Sequence, residues 1–225
     1  MHRKHFNQLL LNTFLANVTV GYLWFALTFW VYLETRSVLA TAFIGGAYML
    51  LTAVVGVPFG TWVDRTRKKR VMLVAQVFTT VAFSLAFAVY LLTPRADLLR
   101  IGGWQFVLFV SLTLLGAVVE SARNIALSTC VTLMVDESER DKVNGLVGMV
   151  SGLGFAVTSV FSGLSVGQLG MTWTIATAVA LTVVSMIHLL FVSVPEAEVV
   201  HSDEAPKMVD FGGAFRAIRD VPGLT

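Results

Sequence analysis

The chain has 225 residues, of which 56% are hydrophobic and 13% are charged. Soluble domains usually carry about 25% charged residues, and a domain of this size still needs a polar surface. The composition therefore excludes an ordinary water-soluble protein and predicts a chain that is largely surrounded by lipid. The net charge of +2, with the charges in short clusters, argues against binding of nucleic acid.

Long stretches without acidic or basic residues divide the chain into candidate membrane spans. Three of them, 5–33, 37–63 and 71–94, each exceed the about 20 residues that a helix needs to cross a bilayer. A longer one, 143–195, would extend on the order of 80 Å as a single helix, so we expect it to fold back at Gly167–Gly170. The sequence predicts an all-α membrane protein with six transmembrane helices, over about residues 9–33, 38–62, 71–93, 104–132, 143–166 and 171–194.

Basic residues are concentrated at one end of the predicted bundle. Five of them occupy the segment 65–70 between the second and third helices, and Arg3 and Lys4 precede the first helix. The positive-inside rule places this end in the cytoplasm. We therefore predict a multi-pass protein of the inner or plasma membrane, with the N-terminus and residue 225 both cytoplasmic. At the opposite end, we expect Glu34 to be an exposed charge at the membrane interface.

The last 30 residues differ in composition from the rest of the chain. We divide the chain into a six-helix transmembrane bundle over 1–195 and a polar cytoplasmic linker over 196–225. Within the linker, Phe211, Phe215 and Ile218 predict a short amphipathic helix that lies on the membrane surface. We expect further helices to follow the linker.

The turn between the second and third helices carries a distinctive set of residues. Gly60 is followed four residues later by Asp64-Arg65 and then by Lys68-Lys69. Gly60 allows another backbone to approach closely, and Asp64 can accept hydrogen bonds from a nearby arginine or face the positive end of a neighbouring helix. Such a charged contact can hold two helical bundles together and release them. Alternatively, the basic residues only fix the topology and bind anionic lipid.

This segment resembles the signature of the major facilitator superfamily, which lies between the second and third helices of those transporters. The resemblance implies that Gly60, Asp64, Arg65, Lys68 and Lys69 form a cytoplasmic gating motif. It also implies that the chain is the N-terminal half of a twelve-helix secondary transporter. Such a transporter binds a small-molecule substrate within the lipid bilayer, together with a C-terminal six-helix half, and needs no cofactor.

Two further segments resemble those of drug- and siderophore-exporting members of that family. One is the fifth helix, which contains Gly145, Gly148 and Gly152, and the other is the segment 133–145 that precedes and enters it. The resemblance implies an antiporter that exports a small hydrophobic or cationic compound in exchange for protons. Taken alone, the spacing of Gly148 and Gly152 indicates only tight packing between helices.

A carboxylate near the middle of the fourth predicted helix is the most informative single residue. Placing Glu120 in the bilayer costs on the order of 2.5–3.5 kcal/mol on insertion scales, so its side chain should face a cavity or a partner. Arg123 follows three residues later on the same helical face. Either Glu120 carries a proton or binds a cationic substrate while Arg123 tunes it, or the two residues form a static internal ion pair.

One face of the first predicted helix is formed by polar and small residues. The residues that recur there at helical spacing are Thr13, Asn17, Gly21, Trp24 and Thr28. This face either lines a water-filled cavity or packs against neighbouring helices. In the first case, Asn17, Trp24 and Thr28 are candidate substrate contacts. Gln76 in the third helix stands isolated among apolar residues and receives no assignment.

Several alternative functions are consistent with the sequence. Import of a sugar or a small organic acid is one, although the apolar helices favour a hydrophobic compound. A non-transporting membrane scaffold or sensor is another, and it would need no protonatable residue at the membrane midplane.

The Gly-x-Ser-x-Gly pattern at 163–167, which is typical of some hydrolases, lies in an apolar helix rather than at a strand-to-helix turn. We therefore predict that the protein is not an enzyme, and we predict no metal site.

Overall fold

The computed structural model describes residues 3–134, 137–192 and 194, and within these ranges the secondary structure is entirely helical. The helices are α1 Arg3–Thr35, α2 Val38–Arg65, α3 Lys68–Leu92, α4 Arg95–Leu98, α5 Trp104–Met134 and α6 Arg140–Phe191, with a 3-10 turn at Glu137–Glu139 before α6. Five of the described helices are long and apolar enough to cross a membrane. The prediction of an all-α membrane fold is thus confirmed, while the predicted linker over 196–225 lies outside the described residues.

Helix α6 has 52 residues and contains a sharp break. Its backbone leaves helical values at Gly170, where φ is 78° and ψ is 167°. Two arms, 140–169 and 171–191, meet there and lie side by side, since Val157 and Leu181 line one cavity. The predicted reversal at Gly167–Gly170 is present but narrower than expected, because helical structure continues up to the break. Counted as arms, α6 supplies two segments that are long enough to cross a membrane, and the described part of the chain then contains six such segments.

The connection between α1 and α2 is very short. Arg36 has a φ of 54°, which is uncommon for a residue other than glycine, and its amide donates to the Tyr32 carbonyl at 2.8 Å. Ser37 then caps α2 by accepting a hydrogen bond from the Ala40 amide at 3.1 Å. A side-chain cap of this kind satisfies one of the free amides at a helix start. The two helices are therefore joined by a well-defined turn.

The core lies between α1, α3, α5 and α6. Fully buried side chains from these helices meet near the end of the bundle opposite to the 65–70 segment: Leu23, Leu27, Phe83, Phe109 and Ile175. Helix α2 lies at the periphery, and its residues Leu39, Phe43 and Leu50 are exposed. In a membrane, an exposed apolar helix face contacts lipid or another apolar protein surface. The fold thus leaves α2 free to contact lipid or protein outside the bundle.

Glu34 lies at the rim of the bundle as expected, but its side chain is half-buried and paired. Its carboxylate accepts two hydrogen bonds from the Arg95 guanidinium, at 2.6 and 2.7 Å, and so joins the end of α1 to α4. The hydrogen bond and the charge of Glu34 raise the pKa of Arg95 above its ordinary value. Glu34 is therefore a paired residue at the rim of the bundle. Exposed pairs of this kind contribute little to stability.

Candidate functional site

A buried ion pair lies in the middle of α5. The Arg123 Nε atom is 3.1 Å from Glu120 Oε1, and the exposed fractions of the two side chains are 0% and 3%. The contact is close in distance but is not a hydrogen bond, and both carboxylate oxygens lack a hydrogen-bond donor within the described part of the chain. The pair is therefore held by charge, and the carboxylate keeps its capacity to accept hydrogen bonds.

Arg123 is fixed by residues from two other helices. Its Nη1 atom donates to Gln76 Oε1 of α3 at 2.9 Å, and its Nη2 atom donates to Asn12 Oδ1 of α1 at 2.5 Å. These charge-assisted bonds use the planar geometry of the guanidinium. The positive charge of Arg123 is thus anchored to α1 and α3.

The polar contacts extend from Arg123 to the 171–191 arm of α6. Asn12 Nδ2 donates to the Ser185 carbonyl at 2.9 Å and lies 3.0 Å from His188 Nδ1. Gln76 Nε2 donates to the Thr182 carbonyl at 3.3 Å. Asn12 and Gln76 therefore each join Arg123 to α6, and four helices meet around a single guanidinium. We call the group formed by Asn12, Gln76, Glu120, Arg123 and His188 the central polar cluster.

A cavity of about 460 Å³ lies on the other side of Glu120. Three of the predicted site residues line it, namely Asn17 and Trp24 of α1 and Glu120 of α5. Most of the remaining wall is apolar, and the polar residues on it include Asn124 and Asn144. Trp24 Nε1 is buried and has no hydrogen-bond partner among the described residues. An unpartnered buried donor and an unpartnered carboxylate thus belong to residues that line one cavity, which is a typical property of a ligand site.

The remaining residues of the α1 face differ in their surroundings. Gly21 also lines the cavity, and a Cβ atom added to it would lie 3.1 Å from Thr158 Oγ1. Thr28 is not among the lining residues, and its hydroxyl donates to the Trp24 and Phe25 carbonyls at 2.8 and 3.0 Å. The α1 face therefore does both things that were considered for it. Its middle borders a cavity, and Gly21 packs closely on α6.

The segment between α2 and α3 closes one end of the bundle. Lys68 is buried, and its Nζ atom donates to the Val63, Asp64 and Thr66 carbonyls at 2.8, 3.4 and 3.3 Å. Lys69 Nζ donates to the Leu190 carbonyl at 3.1 Å. Cations are stabilising at helix C-termini because the last carbonyls there carry partial negative charge. The two lysines thus cap the ends of α2 and α6.

The other members of the predicted gating motif lie on the surface of the same region. Asp64 and Arg65 are exposed, and the Asp64 carboxylate forms no ion pair within the described residues. A Cβ atom added to Gly60 would find no heavy atom within 4 Å. Gly60 and Asp64 therefore face outward from the bundle, where another helix or bundle can approach them. No group of three or more metal-ligating side chains occurs in the part of the chain that the structure describes.

A family model describes nearly all of this chain. The model of the Major Facilitator Superfamily matches residues 9–224. The chain belongs to the major facilitator superfamily. Members of this superfamily are transporters that cross the membrane several times, which agrees with the apolar helices of the bundle. A search of curated proteins and a search of solved structures each found no match.

Part of the central polar cluster was not predicted from the sequence of this superfamily member. Gln76 received no assignment, but the structure places it against Arg123, and Asn12 and His188 likewise belong to the cluster. A signal was present, because an isolated amide in an apolar membrane helix requires a partner. The sequence does not identify that partner, because the partner depends on which helices are neighbours.

Proposed function

We propose that this member of the superfamily exports a small hydrophobic or cationic compound in exchange for protons, by alternating access. The observation that carries the proposal is that Glu120 lines the cavity with no hydrogen-bond donor on its carboxylate, while Arg123 behind it is anchored to α1 and α3. The resemblance of the glycine-rich segment to drug and siderophore exporters supports the same direction of transport.

The composition of the cavity wall supports a hydrophobic or cationic substrate. Trp24, Phe25 and Phe155 provide aromatic surface beside Glu120. Aromatic faces attract organic cations, by about 0.5–2 kcal/mol for each well-placed ring. A single carboxylate on a largely apolar wall then selects for positive charge without requiring a fixed pattern of hydrogen bonds.

The exchange follows from competition for one carboxylate. A lipophilic cation and a proton compete for the Glu120 carboxylate, so binding of one favours release of the other. When Glu120 is protonated, the attraction for the cation is lost and the compound leaves on that side. When the proton leaves on the opposite side, Glu120 is again able to bind a cation. Arg123 keeps its bonds to Asn12 and Gln76 in both states and provides a constant positive charge behind the carboxylate.

We further propose that the 65–70 segment lies on the cytoplasmic side and acts as a gate. Lys68 joins the start of α3 to the end of α2, and Lys69 joins it to the end of α6, whereas Gly60 and Asp64 are turned outward. In this arrangement the lysines keep one bundle rigid, and Asp64 is available to a C-terminal six-helix half. Contacts of Asp64 with that half hold the cytoplasmic side closed and separate when the two halves rock apart.

Import of a sugar or small organic acid is the second candidate. It is favoured by the amide side chains of Asn17, Asn124 and Asn144, which line the cavity and suit hydroxyl groups. A non-transporting sensor is less consistent with the cavity, because a sensor needs no unpartnered carboxylate beside it.

The test measures the movement of ethidium across proteoliposomes under an imposed pH gradient, with sucrose and lactate as alternative substrates. In the unsubstituted protein, we expect ethidium to move in the direction opposite to the flow of protons. Glu120→Gln should reduce the rate of ethidium transport at least tenfold. Asp97→Asn, a neutralised carboxylate outside the bundle, serves as the control and should leave the rate unchanged. Transport of sucrose or lactate without transport of ethidium would favour the importer instead.

A further inference from the structure

A second cavity, of about 560 Å³, lies between α2 and α5 near the end of the bundle opposite to the 65–70 segment. Its wall is formed almost entirely by apolar side chains, including Phe43, Phe106, Val110 and Leu114. Ser37 and Gly102 line the part that reaches the ends of these helices. Because α2 is peripheral, this α2–α5 groove lies at the outside of the bundle, and no residue of the central polar cluster lines it.

Two arginines flank the end of the α2–α5 groove. Arg36 directly precedes Ser37, and Arg100 directly precedes Ile101, and both following residues line the groove. Arg36 and Arg100 are exposed, and neither forms an ion pair within the described residues. The position of Arg36 is fixed by its bond to Tyr32 and by the Ser37 cap.

The acidic residues at this rim do not neutralise both arginines. In the segments 32–40 and 92–106 the carboxylates are Glu34 and Asp97. Glu34 already accepts two hydrogen bonds from Arg95. Asp97 is then the one remaining carboxylate of these two segments, against the two exposed arginines Arg36 and Arg100. The rim of the groove therefore carries an excess of positive charge directly above an apolar wall.

We propose that the α2–α5 groove is a binding site for one phospholipid with an anionic headgroup. An acyl chain occupies the apolar groove, and the lipid phosphate lies at the rim beside Arg36 and Arg100. Guanidinium groups suit this role because they bind phosphate through paired hydrogen bonds. An apolar groove alone accepts any acyl chain, so the two arginines determine the preference for a negative headgroup. This site is independent of the proposed transport reaction.

Native mass spectrometry of the detergent-purified chain tests the site. The protein is incubated with equal amounts of phosphatidylglycerol and phosphatidylcholine that carry the same acyl chains, and the bound lipids are counted. We expect one tightly retained phosphatidylglycerol. The double variant Arg36→Gln/Arg100→Gln should lower the ratio of bound phosphatidylglycerol to phosphatidylcholine at least fivefold. The control Lys142→Gln, which removes an exposed cation outside the groove and outside the 65–70 segment, should change it less than twofold.

A second variant tests the contribution of the apolar groove independently of the arginines at its rim. Ser111 lines the groove, and Ser111→Phe should fill the space and reduce the retention of both lipids. Protection of the buried Cys130 thiol from a maleimide dye establishes that each variant is folded. The proposal is overturned if the wild-type protein has no headgroup preference, if the arginine variant keeps its preference, or if folded Ser111→Phe still retains the lipid.

Discussion

Arg123 and Glu120 form an ion pair in which the two partners have different surroundings. The Arg123 Nε atom lies 3.1 Å from Glu120 Oε1, but the other two guanidinium nitrogens of Arg123 are bound to Asn12 and Gln76. Glu120 instead lines a cavity and has no hydrogen-bond donor among the described residues. We therefore expect changes around Arg123 to affect stability and changes at Glu120 to affect ligand and proton binding.

Asn12→Ala tests the structural side of this pair. The change removes the acceptor of Arg123 Nη2 and leaves a buried cation with one hydrogen bond fewer, so we expect a loss of about 1–3 kcal/mol. Thermal unfolding in detergent can be followed through Cys130, the single cysteine of the chain, which is buried when the protein is folded. Asn17→Ala is the matched control, because Asn17 lines the cavity, and it should unfold within a few degrees of the unsubstituted protein.

Part of this site could be predicted from the sequence. A carboxylate in an apolar span is costly, and Arg123 lies three residues from Glu120 on the same helix, so their proximity follows from helical geometry alone. The neighbours of Arg123 could not be predicted in the same way. Asn12, Gln76 and Arg123 lie on three helices, and their contact depends on how each helix is rotated in the bundle, which is decided by the packing of many apolar side chains.

The position of the chain reversal shows a similar limit. The segment Gly167–Gly170 predicted a turn, because both glycines and the length of the apolar run favour one. The sequence does not indicate that the backbone change is concentrated at Gly170, since both glycines permit it. The pairing of Glu34 with Arg95 could not be predicted either, because Arg95 lies on a separate segment.

Gly170→Ala tests the break in α6. The φ of 78° at Gly170 lies in a region that side-chain-bearing residues avoid, so alanine there should cost about 1–3 kcal/mol. Gly167→Ala is the matched control three residues earlier, where an added Cβ atom has no neighbour within 4 Å. We expect a lower unfolding temperature for Gly170→Ala only. Equal unfolding temperatures for the two variants would contradict the assigned position of the break.

Gly116→Ala tests the close packing of α3 on α5. A Cβ atom at this position would lie 2.6 Å from Phe83 Cε1, and Phe83 is fully buried in the core. Overpacking of this kind costs about 1–3 kcal/mol, so we expect a lower unfolding temperature by the Cys130 assay. Gly148→Ala, with no heavy atom within 4 Å of the added Cβ, should have little effect. If Gly116→Ala were as stable as the unsubstituted protein, α3 and α5 would have to be packed more loosely than they are in this structure.

We propose that Glu120 binds the proton that is exchanged for substrate. The most direct measurement uses proteoliposomes with a pH-sensitive dye inside and an imposed outward gradient of tetraphenylphosphonium. We predict that movement of the cation drives protons in the opposite direction, and that Glu120→Gln reduces the proton signal at least tenfold while Asp97→Asn leaves it unchanged. A Glu120→Gln protein that still exchanges protons for tetraphenylphosphonium at the wild-type rate would contradict the claim.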